Sequence, residues 1–234
     1  MDTSPWPAAV RGALADALTL LLPVDCAGCG AEDVALCALC RIALAPMIAL
    51  ARVPCTDVSL ASALRFEGVP ARVLRALKED GRTSLAAALA PALRAAVEAV
   101  AASAEPVFVP MPTSRAAFRR RGYRVPELLA RRAGLTTLRG LRLVRATADQ
   151  RGLDHEGRRR NVRGSLVAAG VEGRAVVVID DVVTTGASLG EAVRALRAGG
   201  AHVVAAVAIA ATPRRHRAGG EHPDAGSIPS ETAR

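Results

Sequence analysis

A chain of 234 residues is long enough for one α/β domain of ordinary size plus a small appendage. Apolar residues make up 51% of it and aromatic residues only 2%, so we expect an aliphatic core with closely packed helices. The sequence contains no run of 18 uncharged apolar residues, which argues against a membrane-spanning helix. Charged residues interrupt the apolar stretch 8–22 and no small-residue cleavage site follows it, so we predict a cytoplasmic protein without a signal peptide.

The formal net charge of +9 is concentrated in one region. Residues 114–163 contain fifteen arginines and four acids, a balance of +11, so the rest of the chain sums to about −2. This region is expected to meet something anionic: pyrophosphate, a nucleotide or a nucleic-acid backbone. Lys78 is the only lysine among 31 basic residues. It indicates either a position that needs a compact ammonium group or simple drift.

The first 22 residues are predicted to form an N-terminal helix. Apolar side chains recur at helical spacing in residues 8–22, which favours docking onto the body of the protein or onto a partner subunit. These apolar residues are Val10, Leu14, Leu18, Leu21 and Leu22.

Four cysteines follow as two C-x-x-C pairs, separated by seven residues, in a region that we take as 23–45. Such spacing predicts a structural zinc site, because four thiolates complete a tetrahedron and leave no position for substrate water. A reducing cytosol argues against two disulfides, and buried cysteines without a metal are the remaining alternative. The predicted ligands are Cys26, Cys29, Cys37 and Cys40. Cys55 lies outside both pairs and is predicted to be a packed core thiol.

The body of the protein, residues 46–213, alternates predicted strands and helices, as expected for a parallel sheet flanked by helices. We predict strands at 59–66, 107–112, 138–144, 175–179 and 202–211, and helices at 70–78, 85–101, 125–134 and from 189 to the Gly-Gly pair at 199–200. The segment 145–163 is polar and glycine-rich and is predicted to be a functional flap. Residues 214–234 are predicted to be a disordered tail.

A loop at 113–122 is predicted to follow the strand at 107–112, and it carries four arginines. Guanidinium groups bind phosphate in a bidentate manner, so the loop would suit a pyrophosphate leaving group. A solvated basic loop is the alternative, because three adjacent arginines cannot all face one site. The four are Arg115, Arg119, Arg120 and Arg121.

The sixteen residues 175–190 predict a buried strand, a tight turn and the start of a helix. Asp180 and Asp181 follow the apolar run at the carboxyl edge of the sheet, where ligands bind in parallel α/β folds. The next residues offer hydroxyls and free backbone amides just before a helix, which is an anion-binding arrangement. Carboxylates for sugar hydroxyls beside amides for a phosphate predict a site for a phosphorylated ribose. The proposed phosphate loop is Thr184, Thr185, Gly186, Ala187 and Ser188. The alternative is a capped turn with solvated acids.

This stretch resembles the ribose-phosphate motif of type I phosphoribosyltransferases, and residues 20–213 as a whole resemble the ComF family, which is associated with natural competence and DNA uptake. The resemblance rests on the cysteine pairs, on LKEDGR at 77–82, on VPMPTSRAAFRRRGYR and on the acid-rich strand. It implies a phosphoribosyltransferase-like fold, with Asp180 and Asp181 as the ribose-binding acids and residues 115–122 on the pyrophosphate side. It also assigns six residues to the flap: Arg145, Thr147, Gln150, Arg158, Arg160 and Asn161.

The chain departs from the family pattern at three places. Tyr123 and Arg124 precede Val125 where the family commonly has Phe-Asn-Gln, and Ser114 replaces a frequent histidine. Purine-type enzymes generally carry an acid at the position of Thr184, which cannot act unaided as a general base. A hypoxanthine or guanine salvage enzyme is therefore disfavoured.

Three functions remain open from the sequence. The first is transfer at the anomeric carbon of phosphoribosyl pyrophosphate, with Mg²⁺ bridging pyrophosphate and ribose and with Lys78, Arg115, Arg119, Arg121 and Arg160 among the ligand-binding residues. The second is a non-catalytic nucleotide sensor or DNA-processing factor that keeps the pocket for binding only. The third is binding of single-stranded DNA, which would be mostly electrostatic because residues 114–163 contain few aromatics. DNA-uptake proteins are candidate partners, and the sequence leaves the oligomeric state open.

Overall fold

The computed structural model describes residues 24–100, 106–144 and 162–213. The predicted N-terminal helix, most of the predicted flap with Arg160, and the C-terminal tail lie outside the described residues. The division of the chain at residues 22, 45 and 213 therefore stays a prediction.

The described residues alternate helices and strands as the sequence indicates, and the strand at 202–211 has the predicted bounds. In chain order the elements are α1 (Ala38–Ile42), β1 (Ala49–Arg52), β2 (Ser59–Arg65), α2 (Gly68–Glu79), α3 (Leu85–Glu98), β3 (Val107–Pro110), α4 (Arg115–Arg121), α5 (Val125–Arg132), β4 (Leu141–Leu143), β5 (Leu166–Ala168), β6 (Ala175–Val183), α6 (Ala187–Ala198) and β7 (His202–Ala211).

A five-stranded sheet in the order β1-β2-β7-β6-β3 forms the centre of the described part of the chain. All neighbouring strands are parallel except β1, which pairs antiparallel with β2 at one edge. Strands β4 and β5 form a separate antiparallel pair that packs beside α6. The mixed α/β class with a mostly parallel sheet is confirmed.

Aliphatic side chains fill both faces of the sheet. On one face, α2, α3 and α5 pack with the cysteine region, and the fully buried leucines 74, 89 and 129 lie there. On the other face, α6 and the β4–β5 pair cover the sheet, with Leu189, Val193 and Leu196 inward as the helical spacing predicts. Because both faces are covered, the central strands are continuous apolar runs.

Three expectations about local structure were wrong. The arginine-rich segment is a helix rather than a loop, because the Ser114 side chain caps its first turn and Gly122, at φ 80°, ends it. Strand β6 continues four residues past Ile179, because β7 pairs with it as far as Val183. Cys55 is exposed rather than packed in the core, and it lies in a turn with φ 61°.

No helix within residues 24–100, 106–144 and 162–213 is both long and apolar enough to cross a bilayer.

Candidate functional site

The two acids lie near the C-terminal end of β6, on opposite faces of the strand. Successive strand residues point to opposite sides, so Asp180 faces the α6 side and Asp181 faces the α2 side. The Asp180 carboxylate accepts a hydrogen bond of 2.8 Å from the Asp181 backbone N–H. Burial, and then the charge of Asp181, raise the pKa of Asp180 to about 7. Asp180 therefore holds a proton more readily than a solvated carboxylate does.

Lys78 binds the second acid directly. Its Nζ lies 2.8 Å from Asp181 Oδ1, and the two side chains are only 23% and 13% exposed. Lys78 sits in the last turn of α2, so this contact joins the end of a helix to the end of the central strand. The one lysine of the chain thus holds the Asp181 carboxylate in position.

The turn after β6 is short and is held from both sides. Gly186 adopts φ 76°, and a Cβ there would lie 2.7 Å from Pro54 Cδ, so only glycine fits. The Thr212 N–H donates to the Val183 carbonyl at 2.9 Å, which ties the turn to the end of β7. The Thr185 hydroxyl accepts a 3.3 Å hydrogen bond from the Ala187 N–H at the start of α6. The turn is rigid before any ligand binds.

A cavity of about 40 Å³ lies against this turn, lined by Asp180, by residues 182–189 and by Val162. It adjoins a cavity of about 190 Å³ that reaches Met111 and Ser114 after β3, and the two share Val162 and Ser188. The small cavity has room for little more than one anionic group, since one liquid water occupies about 30 Å³. A sugar attached to that group would have to extend into open space or into the larger cavity.

A third cavity, of about 360 Å³, lies on the other side of the same turn. Its walls are mostly apolar and include Leu60, Leu64 and Val183, with Thr185 and Thr212 at the turn. It would accommodate a flat apolar group better than a charged one. The turn is therefore flanked by a polar and an apolar space.

The arginines of α4 do not act as one group. Arg115, Arg119 and Arg120 are exposed, whereas Arg121 is half-buried. Among the described residues, Arg121 Nε is a buried side-chain N–H without a hydrogen-bond partner. Its charge lowers the pKa of the nearby Tyr123, although burial raises that pKa overall. The Tyr123 hydroxyl donates to the Leu77 carbonyl, next to Lys78. Of the predicted arginines, Arg121 is thus the one brought close to the end of α2.

The four predicted zinc ligands come together. Their Sγ atoms all lie within 4.8 Å of one another, and Cys29 and Cys37 are 3.7 Å apart. Burial opposes ionisation of Cys26, but backbone N–H donors outweigh it and lower its pKa to about 6. Burial and the neighbouring thiols raise the pKa of Cys40 to about 12. Four such thiols ionise together only around a cation, and zinc prefers this set.

The cysteine region is anchored on α2 and the residues after it. Arg72 Nε donates to the Gly28 carbonyl, and an Arg82 N–H donates to the Ala35 carbonyl at 2.9 Å. Gly28 has no room for a side chain, since a Cβ would lie 2.4 Å from Cys40 Sγ. Helix α2 therefore contacts the cysteine cluster as well as the acid on β6.

One anchoring pair was missed by the sequence analysis. Glu191 is buried and accepts hydrogen bonds from Arg194 at 2.8 and 2.7 Å and from the Leu166 N–H at 3.3 Å. Burial favours its neutral form, but the bonds from Arg194 and Leu166 outweigh that and lower its pKa. This pair ties β5 to α6 beside the turn. The signal available in the sequence was a Glu and an Arg three residues apart, which more often indicates an exposed helix face.

Acids near the end of a central parallel strand, followed by a turn and a helix, lie at the edge of the sheet where ligands bind in parallel α/β folds. Residues 118–229 match the family model described as phosphoribosyl transferase domain. The matched range includes β6, the turn and α6.

A solved structure described as the allosteric regulatory enzyme of purine biosynthesis is similar to the chain, with 25% sequence identity and a TM-score of 0.32. The similarity covers 55% of this chain and 25% of that structure, so the chain spans about a quarter of its length. No curated protein was found to match the chain.

Proposed function

We propose that this protein binds phosphoribosyl pyrophosphate or a ribose 5-phosphate nucleotide at the end of β6. The observation that carries the proposal is the turn between β6 and α6, where Asp180 and the first residues of α6 line one cavity. Backbone N–H groups at a helix start bind phosphate, and carboxylates accept hydrogen bonds from sugar hydroxyls. One molecule with a phosphate and vicinal hydroxyls would use both.

We propose a partner for each part of the ligand. The 5-phosphate would accept hydrogen bonds from the Ser188 N–H and from neighbouring amides of the turn. The ribose hydroxyls would donate to Asp180, which lines the cavity, and to Asp181, which Lys78 holds in position. The Arg121 guanidinium, whose buried Nε has no hydrogen-bond partner among the described residues, is the group that we propose for a pyrophosphate oxygen. A base attached to the ribose would extend into the adjoining cavity of about 190 Å³ or into solvent.

In the catalytic form of this proposal, the bond between the anomeric carbon and pyrophosphate breaks as the bond to an acceptor forms. Positive charge that develops on the sugar ring would be stabilised by the carboxylates, which are already in place. Carboxylate oxygens also suit Mg²⁺, which would neutralise pyrophosphate charge when bound. Deprotonation of an acceptor base is not assigned, because Thr184 is not a base.

Calorimetry with phosphoribosyl pyrophosphate and Mg²⁺ tests the binding proposal. We expect Asp180→Asn and Asp181→Asn each to weaken binding at least tenfold while the thermal unfolding transition remains cooperative. Glu172→Gln is the matched control, because this exposed acid precedes the N-terminal end of β6, whereas the two site acids lie near its C-terminal end. Equal affinities in all four proteins would overturn the proposal.

Catalysis and sensing use the same pocket and differ in turnover. Pyrophosphate release in the presence of a panel of bases supports a phosphoribosyltransferase. Saturable binding without release supports the sensor, a role that fits the ComF resemblance and its link to competence.

We also propose a structural zinc ion in the cysteine cluster. The close approach of the four Sγ atoms, all within 4.8 Å of one another, supports it. Metal analysis of the purified protein should give one zinc per chain. A reduced, folded protein that contains no metal would refute the assignment.

A second candidate function, binding of single-stranded DNA, is favoured by the exposed arginines 115, 119 and 120 on α4. Binding through phosphates should weaken steeply as salt rises. Substituting all three by glutamine should abolish that affinity and leave phosphoribosyl pyrophosphate binding unchanged. Affinity that is insensitive to salt would exclude this mode.

A further inference from the structure

An apolar surface beside the cysteine cluster remains uncovered in the described part of the chain. Leu39 and Ile42 on α1 are 79% and 69% exposed, and Leu50 on β1 is 67% exposed. Together with Ile48, they account for four of the seven exposed large apolar side chains among the described residues. Side chains of this kind usually mark a contact surface when they cluster.

The strand register places the β1 part of this surface on the same face as the cysteines. Leu50 pairs with Ala61, which packs in the same core cluster as Cys26 and Cys40. Met47, Ala49 and Ala51 line the cavity on the other face, so the alternating residues Ile48 and Leu50 point towards the cysteine side. We call Leu39, Ile42, Ile48 and Leu50 the knuckle-side patch.

The sheet layer is incomplete above this patch. Helices α2 and α3 pack on the face of β2, but all four residues of β1 are exposed. An exposed apolar edge strand invites aggregation unless something covers it. One more helix beside α2 and α3 would complete the layer.

We propose that residues 8–22 form an amphipathic helix whose apolar stripe covers the knuckle-side patch. This segment lies outside the described residues, and residues 23–25 join its C-terminal end to Cys26. Cys26 clusters with Cys40, which lies between Leu39 and Ile42 in the sequence of α1, so the segment has to end close to the patch. Three extended residues reach about 10 Å. The helix would be about 22 Å long, enough to extend along α1 and β1.

The sequence of the segment matches the chemistry of the patch. Val10, Leu14, Leu18 and Leu21 fall on one side of a helix, and the four side chains of the patch are aliphatic. A second copy pairing along the free edge of β1 would use backbone groups and would leave the faces of Ile48 and Leu50 open. The N-terminal segment explains the exposed face, whereas edge pairing does not.

Hydroxyl-radical footprinting of the full-length chain tests the proposal directly, because it measures side-chain accessibility residue by residue. We expect the knuckle-side patch to be labelled several-fold more slowly than its exposure in the described part implies. The double variant Leu14→Asp/Leu18→Asp should restore fast labelling of the patch. The matched control Ala9→Asp/Thr19→Asp adds the same charge on the opposite helix side and should retain protection.

Each other outcome decides the question. Fast labelling of the patch in the wild-type protein overturns the proposal. Protection that disappears on dilution, together with a dimer by light scattering, assigns the surface to a second copy and also overturns it. Protection that survives Leu14→Asp/Leu18→Asp does the same. If that variant does not fold, Leu14→Met/Leu18→Met, which should keep protection, and Leu50→Asp, which should accelerate labelling of residues 14 and 18, provide the test.

Discussion

The cysteine cluster and the turn between β6 and α6 are both small sites on loops, but different forces hold them in place. The sheet fixes the turn, because β6 and β7 pair as far as Val183 and the Thr212 N–H donates to the Val183 carbonyl. The cysteine region has one short helix, and two of its four ligands, Cys29 and Cys37, are not buried. A core supports the first site, whereas in our proposal a metal ion supports the second.

This difference predicts different responses to damage. Changes at the turn should affect ligand binding and leave the fold intact, because the strands around it remain paired. Changes at the cysteines should unfold their region and, through Arg72 and Arg82, loosen its contact with α2.

The largest expected effect is the loss of a zinc ligand. Cys40→Ser should abolish zinc binding and unfold residues 24–45, since structural zinc sites contribute on the order of 10 kcal/mol. Metal analysis and hydrogen exchange of this region measure both effects. Cys55→Ser is the control, because Cys55 lies outside the cluster, and it should retain one zinc. A Cys40→Ser protein that keeps zinc and full protection would remove the contrast between the two sites.

The next effect concerns the bond between Lys78 and Asp181. Lys78→Met leaves a partly buried carboxylate without its cation, and should weaken phosphoribosyl pyrophosphate binding about tenfold and cost roughly 2 kcal/mol of unfolding free energy. The double variant Lys78→Met/Asp181→Asn should regain most of the stability but not the affinity. Denaturant unfolding and calorimetry on Lys78→Met, Asp181→Asn and the double variant separate the role of the pair in stability from its role in ligand binding. Additive losses of stability would contradict a direct pair.

A smaller effect should appear as a pH dependence of stability. The pKa of Asp180 is about 7 in the folded chain, above its ordinary value of 3.8, so the folded state binds more protons between these pH values. Stability should therefore fall as pH rises from about 4 to 7 and level off above 7.

Asp180→Asn removes this titration and should flatten that part of the profile. Denaturant unfolding at pH 5 and pH 8 makes the comparison, with Glu172→Gln as control. An unchanged slope in Asp180→Asn would mean that Asp180 titrates as in solvent.

The smallest expected effect is at Gly186. Gly186→Ala combines a positive φ with a Cβ 2.7 Å from Pro54, and should cost about 1 to 2 kcal/mol. Gly170→Ala has φ 69° but no atom within 4 Å of its Cβ, so it isolates the backbone contribution. If the two variants lose equal stability, the contact with Pro54 contributes nothing. Thermal unfolding of both variants gives the answer.

The sequence predicted the features whose information is local. The two C-x-x-C pairs and the apolar run before Asp180 each occupy a few consecutive residues. The four cysteines lie together in the structure, and the apolar run forms part of β6. The helix α4 was missed because its arginines follow no apolar period, and its stability comes from Ser114 and Gly122 at its ends.

Contacts between distant residues could not be predicted from spacing. Lys78 and Asp181 are 103 residues apart, and only the rarity of lysine drew attention to one of them. Asp180 and Asp181 point to opposite faces because strand β6 continues past Ile179. This continuation depends on pairing with β7, which reaches as far as Val183. The roles of the individual site residues therefore stay predictions until ligand binding is measured.

Helix α2 makes three separate contacts along its length: Arg72 to the cysteine region, the Leu77 carbonyl to Tyr123 and Lys78 to Asp181. One inserted residue between positions 72 and 77 would rotate everything beyond it by about 100° and advance it by about 1.5 Å. Such a change cannot keep all three partners in reach at once. The residue count of α2 should therefore be as strictly constrained as the identity of any side chain in the site.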